Sequence, residues 1–333
     1  MALESGVVDL DVVFLGTSGS TPTAQRALAA TLVRRGGERL LFDCSEGTQR
    51  QLLCSDVGLV ELEEIFLTHY HADHYLGLPG LLKTYSLRGR DVPLTICGPR
   101  GLRELLSSLR RIFGRLTYEL QTLELEPGTR LERSGYALET FAVAHGVSAV
   151  GYALVEHERP GRFDVEAADA LSVPDGRERG LLQAGEGVEL ADGTRVTPEQ
   201  VLGPPRPGRK LVLTGDTAPA ASVVEAATGA DVLVHEATFL ADERERARET
   251  SHSTAGEAAL VAREAGVQLL ALVHVSTRYF GHQVVEEARE LFPDTVVPRD
   301  FDTVEIPFPE RGAPALVRAG ARARKAAIGS EGT

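Results

Sequence analysis

The sequence predicts an α/β protein, a four-layer αβ/βα sandwich in which helices cover the outer faces of two central sheets. Two observations predict it. The chain contains two halves that each run strand-like segments into β-then-α alternation, and between them lies one long stretch rich in Gly, Pro and charge whose two ends both read as strands of the same core.

The elements follow in order. Val7 to Leu15 is apolar and β-branched, and Leu32 to Phe42 holds two short strands about a Gly36-Gly37 turn, so a β-rich layer opens the fold. Ile65 to Leu67 and Leu94 to Ile96 read as short buried strands, while Leu76 to Leu87 and Leu102 to Phe113 repeat apolar residues at helical spacing. Tyr136 to Ala144 and Ala149 to Val155 are strand-like on either side of a His145-Gly146 turn. The stretch from about His157 to Arg209, ending in Gly203-Pro204-Pro205-Arg206-Pro207-Gly208, breaks the pattern and reads as an inserted arm between adjoining strands ending at Val155 and starting at Leu211. Then come a strand at Leu211 to Thr214, a helix at Ala220 to Ala227, a strand at Val232 to His235, a helix at Thr254 to Glu264 and a strand at Leu269 to Val273. The expected organisation is one domain over 1–310 carrying an arm at about 157–209, followed by a flexible basic tail over 311–333.

Bulk properties narrow the class. With 333 residues and 43% hydrophobic content the chain can bury a large core. Its acidic start lacks the long apolar core of a secretory signal, and no stretch is apolar enough to span a bilayer, so no membrane partner is expected. Cys44, Cys54 and Cys97 are the only cysteines; an odd number without CxxC spacing argues against a disulfide framework and a thiolate metal site, and fits a reducing cytoplasm with the thiols packed as small hydrophobes. A net charge of −13 argues against a general nucleic-acid coat protein. It does not exclude an RNA enzyme, which needs positive potential only where substrate lies.

The strongest chemical signal is Thr68-His69-Tyr70-His71-Ala72-Asp73-His74, after a buried strand and before an apolar helix. On such a loop, three imidazoles and a carboxylate within six residues can converge, and they form a ligand set for zinc or another first-row divalent metal. His145, Asp216 and His274 each follow a strand in the same way; a lone histidine is more often a hydrogen-bonded structural residue, but together these three complete two sites.

The order His69-x-His71-x-Asp73-His74, His145, Asp216, His274 resembles the metallo-β-lactamase superfamily across nearly the whole chain. Phe14-Leu15-Gly16-Thr17, His235-Glu236-Ala237-Thr238, His252-Ser253-Thr254 and His274-x-Ser276-x-Arg278-Tyr279 narrow the resemblance to ribonuclease Z, the tRNA 3′-processing endonucleases. The resemblance implies the metallo-β-lactamase form of the αβ/βα sandwich. It also implies two Zn2+ per subunit, with Mn2+ or Fe2+ as alternatives: His69, His71 and His145 at one, Asp73, His74 and His274 at the other, and Asp216 bridging. Two such cations about 4 Å apart suit in-line phosphoryl displacement by water, leaving a 3′-hydroxyl on the tRNA and a 5′-phosphate on the trailer. Asp73 is the candidate to orient the water, and His252, oriented by Glu236, the candidate to protonate the leaving oxygen; on the plain reading Glu236 only caps the next element. Arg278, four residues past His274, is a candidate phosphate contact, with a surface ion pair as its alternative.

Two segments depart from the family pattern. Relatives usually read PxKxRN after the Gly16 to Thr21 loop, whereas this chain reads Pro22-Thr23-Ala24-Gln25-Arg26-Ala27, leaving Arg26 as the candidate acceptor-end contact. The resemblance makes the insertion an exosite arm with stalk strands at Arg159 to Asp164 and Leu202 to Pro205; at its tip, Arg177 and Arg179 stand in for the lysines of relatives. A homodimer is implied, because in the family each subunit's arm serves the other's active site. The expectation is a cytoplasmic, zinc-dependent endoribonuclease acting on precursor tRNA. A small-substrate phosphodiesterase or arylsulfatase on the same centre is the rival enzyme, and a non-catalytic RNA-binding protein the rival from another class. The basic run Arg318, Arg322, Arg324 and Lys325 has RNA contact as one reading and a plain soluble end as the other.

Overall fold

The computed structural model describes residues 8–59 and 62–320. Strand β1 (Leu10–Gly16) pairs antiparallel with β2 (Ala30–Arg35), and β2 with β3 (Glu38–Phe42) across the Gly36-Gly37 turn. Helix α1 (Thr48–Cys54) leads on to β4 (Glu64–Phe66), which extends the sheet in parallel. Helices α2 (Ala72–Tyr75) and α3 (Leu78–Leu87) precede β5 (Leu94–Gly98), and α4 (Leu102–Phe113) precedes β6 (Leu120–Glu124), both strands parallel.

Side-chain alternation gives this sheet two distinct faces. Val13, Leu15, Leu32, Leu41, Ile65 and Ile96 point one way, into a buried cluster with Leu52, Leu81, Leu82, Leu106 and Phe113 from the helices. Phe42 and Phe66 point the other way, stacked at 5.1 Å, and Tyr152 of the second sheet packs edge-on against both. The Tyr152 hydroxyl donates to Leu67 O at 2.7 Å, which satisfies its polar tip inside the sandwich.

The second sheet comprises β7 (Arg130–Arg133), β8 (Tyr136–Ala142), β9 (Val150–Glu156) and, later in the chain, β12 to β15, in the order β15-β14-β13-β12-β9-β8-β7. Between them come α5 (Val165–Ala170), α6 (Arg177–Gln183), and the two-residue strands β10 (Val188–Glu189) and β11 (Arg195–Val196). Then follow β12 (Lys210–Leu213), α7 (Ala221–Ala227), β13 (Val232–Glu236), α8 (Arg244–Glu249), α9 (Ala255–Ala265), β14 (Leu269–Val273), α10 (Gly281–Arg289) and β15 (Thr295–Val296). β12 to β15 run parallel, each joined to the next through helix, and β12 to β14 are largely buried apolar runs as a doubly covered parallel sheet requires. The chain ends by returning to the first sheet, where β16 (Thr303–Glu305) pairs with β1, and β17 (Ala315–Val317) with β16.

Helix α9 is fixed at both ends by its sequence. Thr254 and Glu257 form a reciprocal capping box, and Gly266 ends the helix at φ +64. The expected start at Thr254 is therefore the cap residue.

The chain divides into two compact units, and residues 133–137 and 155–209 form the smaller. That unit has its own apolar centre of Ala168, Val173, Leu182, Val188, Val196 and Val201. Its two connecting stretches run antiparallel, with bridges Arg159↔Arg206 and Phe163↔Leu202, and Gly161 passes so close to Gly203 that a Cβ would meet Gly203 O at 1.8 Å. The segment around Arg177 and Arg179 is the helix α6.

Two expectations are corrected. Residues from Arg311 were expected to lack regular structure, but Ala315–Val317 form an edge strand, and Arg318 pairs with the buried Asp302 at 2.5 Å. The apolar Ala315 to Val317 run was masked by the Ala/Arg-rich sequence that follows. Arg322, Arg324 and Lys325 lie outside the described residues. Cys44 and Cys97 are buried, as small hydrophobes should be, with burial pushing the Cys44 thiol up to about 12; Cys54, at the exposed end of α1, does not pack as one. No helix among the described residues is long and apolar enough to cross a membrane.

Candidate metal centre

The His69 to His74 segment follows β4 directly. His71 is extended at φ −73 and caps α2, which places Asp73 and His74 on the first turn of that helix. Asp43, at the end of β3, holds the loop in place: its carboxylate accepts the Thr68 amide at 2.8 Å, the Thr68 hydroxyl at 2.9 Å and His74 Nδ1 at 2.8 Å. His145 lies between β8 and β9, after the bridge Ala144↔Ala218. Asp216 follows β12 through Gly215, which has φ +63 and whose Cβ would stand 2.7 Å from that of Thr68. Only glycine fits there. His274 follows β14 at φ +56, an uncommon conformation for a non-glycine residue and the kind of local strain that a functional site retains.

These loops bring seven side chains to one place. His69 Nε2 and His145 Nε2 stand 3.0 and 3.1 Å from His71 Nδ1. His274 Nε2 and His74 Nε2 stand 3.4 and 3.7 Å from Asp73 Oδ2. Asp216 Oδ2 lies between the two groups, 3.7 Å from His69 Nε2 and 3.3 Å from both His74 Nε2 and His274 Nε2. Donors around a tetrahedral ion at about 2.0–2.1 Å are roughly 3.3 Å apart, so these spacings suit divalent cations.

The proton inventory tests that fit. Asp43 is acceptor-only, so His74 donates from Nδ1, leaving a lone pair on Nε2; that atom is buried, makes no hydrogen bond and faces two carboxylates. The Thr68 hydroxyl donates to Asp43, so at 3.1 Å it accepts from His69 Nδ1, and the Ser251 carbonyl accepts from His145 Nδ1 at 3.0 Å. Thr238 Oγ1 donates to Glu236 Oε2 at 2.5 Å and so accepts from His274 Nδ1 at 2.8 Å. Four imidazoles thus turn their Nδ1 protons outward and their Nε2 lone pairs onto one another and onto Asp73 and Asp216. Lone pair facing carboxylate is repulsive unless a cation stands between, and outward hydrogen bonds that fix the ring are the usual partners of metal-ligating histidines.

The local charges fit the same arrangement. Burial raises the Asp216 pKa, but His274 and His74 outweigh it and hold the carboxyl well below its usual range. Burial pushes His69 well down, toward the neutral form that coordinates metal.

Beside the cluster, Glu236 is buried at the end of β13. Its Oε1 accepts His252 Nδ1 at 2.6 Å and the Thr217 amide at 2.9 Å, and its Oε2 accepts the Thr238 amide at 3.1 Å. Burial lowers the His252 pKa, but the charge and hydrogen bond of Glu236 outweigh it and raise it to about 9. His252 stacks on His274 with ring centroids 5.5 Å apart, so the dyad adjoins the donors.

Sequence reasoning missed Asp43 and Asp300. Asp43 had a detectable signal, an acid directly after an apolar strand, which burial obliges to find donors. Asp300 accepts the Thr17 hydroxyl at 2.7 Å, the Ala27 amide at 2.6 Å and the Gln51 amide group at 2.9 Å, so it ties both ends of the loop between β1 and β2. That loop places the Ser20 amide 2.8 Å from Asp73 Oδ2 and brings Gly19 against the His274 ring.

The arginines are placed differently from one another. Arg26 Nη1 donates to Thr17 Oγ1 and Pro298 O at 2.6 and 2.8 Å, so it fastens the loop. Arg179 spends its guanidinium on the Val173 carbonyl, Asp169 and Asp175 within the smaller unit. Arg177 is exposed, and Arg278 lies 3.4 Å from Glu243 while remaining 43% exposed.

The sandwich and its convergent histidine and carboxylate loops define a metal-dependent hydrolase of the metallo-β-lactamase superfamily, whose family model matches residues 26–249. The chain is 44% identical to ribonuclease Z of Methanosarcina acetivorans over 302 residues, covering 90% of this chain and 99% of that protein. It is 46% identical to ribonuclease Z of Myxococcus xanthus, covering 90% and 98%. The crystal structure of human tRNase Z, short form, superposes with a TM-score of 0.66 at 26% identity, covering 89% and 99%. The chain belongs to the ribonuclease Z family.

Proposed function

We propose that this chain is a zinc-dependent endoribonuclease that removes the 3′ trailer from precursor tRNA, leaving a 3′-hydroxyl on the tRNA and a 5′-phosphate on the trailer. The observation that carries the reading is the complete donor set with the Glu236–His252 dyad beside it, in a chain that matches ribonuclease Z proteins over nearly their full length. His69, His71 and His145 would hold one cation and Asp73, His74 and His274 a second, with Asp216 within reach of both groups. When bound, such a pair would supply a more acidic water and offset charge at the scissile phosphate.

The remaining work falls to the chain's own groups. Asp73, steadied by the Ser20 amide, orients the attacking water. Glu236 fixes the tautomer of His252 so that Nε2 presents a proton to the leaving 3′-oxygen. Arg278, half-exposed near His274, takes a non-bridging phosphate oxygen once it leaves Glu243. Arg177 is the arm's phosphate contact, and residues 157–209 form that arm on a single catalytic domain. The enzyme works as a homodimer in the cytoplasm.

A second reading, a small-substrate phosphodiesterase, is favoured by one observation: Arg26 and Arg179, two candidate RNA contacts, are engaged within the protein. End-labelled precursor tRNA incubated with zinc-loaded protein, beside bis-p-nitrophenyl phosphate, separates the two. One cut next to the discriminator base with a 3′-hydroxyl end supports tRNA maturation, whereas hydrolysis of the small diester alone replaces it with the second reading.

A further inference from the structure

We propose that the outer face of α4 is a binding surface for the sugar-phosphate backbone of the RNA substrate, through Arg103, Arg110 and Arg115. The inference deepens the reading of the chain as a tRNA-processing nuclease and rests on it. The chain as a whole carries 48 acidic against 35 basic residues, yet residues 100–115 contain five arginines and one glutamate. Helix α4 buries Leu102, Leu106, Leu109 and Phe113, which turns Arg103, Arg110 and Arg111 to solvent.

The charges are not spent on internal partners. Among the described residues the guanidiniums of Arg110, Arg111 and Arg115 make no ion pair or hydrogen bond; Arg103 feels Glu124, whose carboxylate is occupied by the Gly101 and Arg103 backbone amides at 2.9 and 3.3 Å. Lys83 adds a further positive charge, its Nζ standing 3.3 Å from Arg115 O. Arg103, Arg110 and Arg115 line one cavity of about 480 Å3 together with Ser107, Thr122 and apolar side chains, and no carboxylate lines it. Guanidinium forks and hydroxyls in a carboxylate-free concavity match phosphate oxygens.

Spacing favours a polyanion over a single phosphate. Arg103 and Arg110 are seven residues apart, about 10 Å along one helical face, and one phosphate does not span that distance. Position links the face to the cut. The N-terminal end of α4 lies beside the metal loop: a Cβ added at Gly101 would stand 3.5 Å from the ring of Tyr70, which lies between His69 and His71, and the Tyr70 hydroxyl donates to Pro99 O. From that end the helix runs twelve residues, about 18 Å, and carries Arg103 and Arg110 along it, within the span of an RNA backbone seated at His69 and His71. Non-specific backbone binding of this kind is carried by counterion release.

The test measures binding and cleavage separately. A fluorescein-labelled precursor tRNA is titrated with zinc-loaded protein at several salt concentrations, for the parent, Arg110→Glu/Arg115→Glu, and Arg263→Glu, a charge reversal at an exposed position on α9. The double α4 variant is expected to bind about tenfold or more weaker and to lose roughly one to two units of the slope of log K against log salt, at about 0.7–0.9 per phosphate contact. Its hydrolysis of bis-p-nitrophenyl phosphate should stay at the parent value, which shows the fold and centre intact. A Kd and salt slope equal to those of Arg263→Glu would overturn the α4 surface. If the parent binds this RNA through α4 but does not cut it, the binding surface stands and the assigned reaction falls.

Discussion

At the scale of single residues, the outward hydrogen bonds of the histidines separate holding the metal from using it. Asp43 touches no reacting atom, yet it fixes both His74 Nδ1 and Thr68, and through Thr68 the His69 ring. Asp43→Asn should therefore lower zinc affinity by about 10- to 100-fold. Zinc competition titration checks this, and unchanged affinity would remove Asp43 from the assignment. Glu236→Gln should act on the other property. It keeps the ring in place but removes the charge behind His252, so kcat should fall by about 10²- to 10⁴-fold with bound zinc and KM nearly unchanged. Loss of zinc in that variant would make Glu236 part of the metal-holding shell instead. The candidate donors were legible in the sequence because four of them fall within six residues and each group follows a strand; Asp43 offered only its place after an apolar strand, and Asp300 acts through Thr17, Ala27 and Gln51, far away in the chain, where no local pattern points to it. Arg26 and Arg179 show the converse: the family resemblance made them candidate RNA contacts, and only the folded chain supplies the carbonyl and carboxylate partners that engage them.

At the scale of elements, buried strands and amphipathic helices were readable from their periodicity, and the short or half-exposed pieces were not. β6 and β7 alternate half-buried with exposed residues, and α1 and α10 are short; none carries the sustained apolar pattern that gives β13 or α4 away. The arm's helices escaped for a related reason, since their apolar residues serve a small separate centre within a sequence dominated by Gly, Pro and charge. The loop between β1 and β2 is the element on which a prediction turns. Asp300 ties Thr17, Ala27 and Gln51 together, and the loop so closed delivers the Ser20 amide to Asp73. Asp300→Ala releases the loop ends and leaves the Ala27 amide without its acceptor, at a cost of about 1–3 kcal/mol. The expected result is a lower Tm together with a fall in kcat toward bis-p-nitrophenyl phosphate, a substrate too small to need RNA contacts. A lower Tm with unchanged kcat would confine Asp300 to stability.

At the scale of the whole molecule, the architecture keeps all candidate donors in the larger unit and commits residues 133–137 and 155–209 to another. The smaller unit has a base of its own: buried Arg209 donates to Glu156 at 2.7 and 2.8 Å, and the Glu156 amide donates to Arg209 O at 2.9 Å. Breaking a buried pair of this kind by removing one partner costs about 3–5 kcal/mol, so an excision has to leave both residues in place. Replacing residues 158–207 by a short glycine linker satisfies that condition. If the insertion serves only to grip RNA, the excised protein should keep its zinc and hydrolyse bis-p-nitrophenyl phosphate within about twofold of the parent, while KM for precursor tRNA rises by at least about tenfold. Unchanged cleavage of precursor tRNA would assign the grip to the larger unit alone, where α4 presents its arginines. Loss of the small-diester activity with zinc still bound would instead make the insertion part of the catalytic fold, and the division into a catalytic core and a dispensable arm would fail.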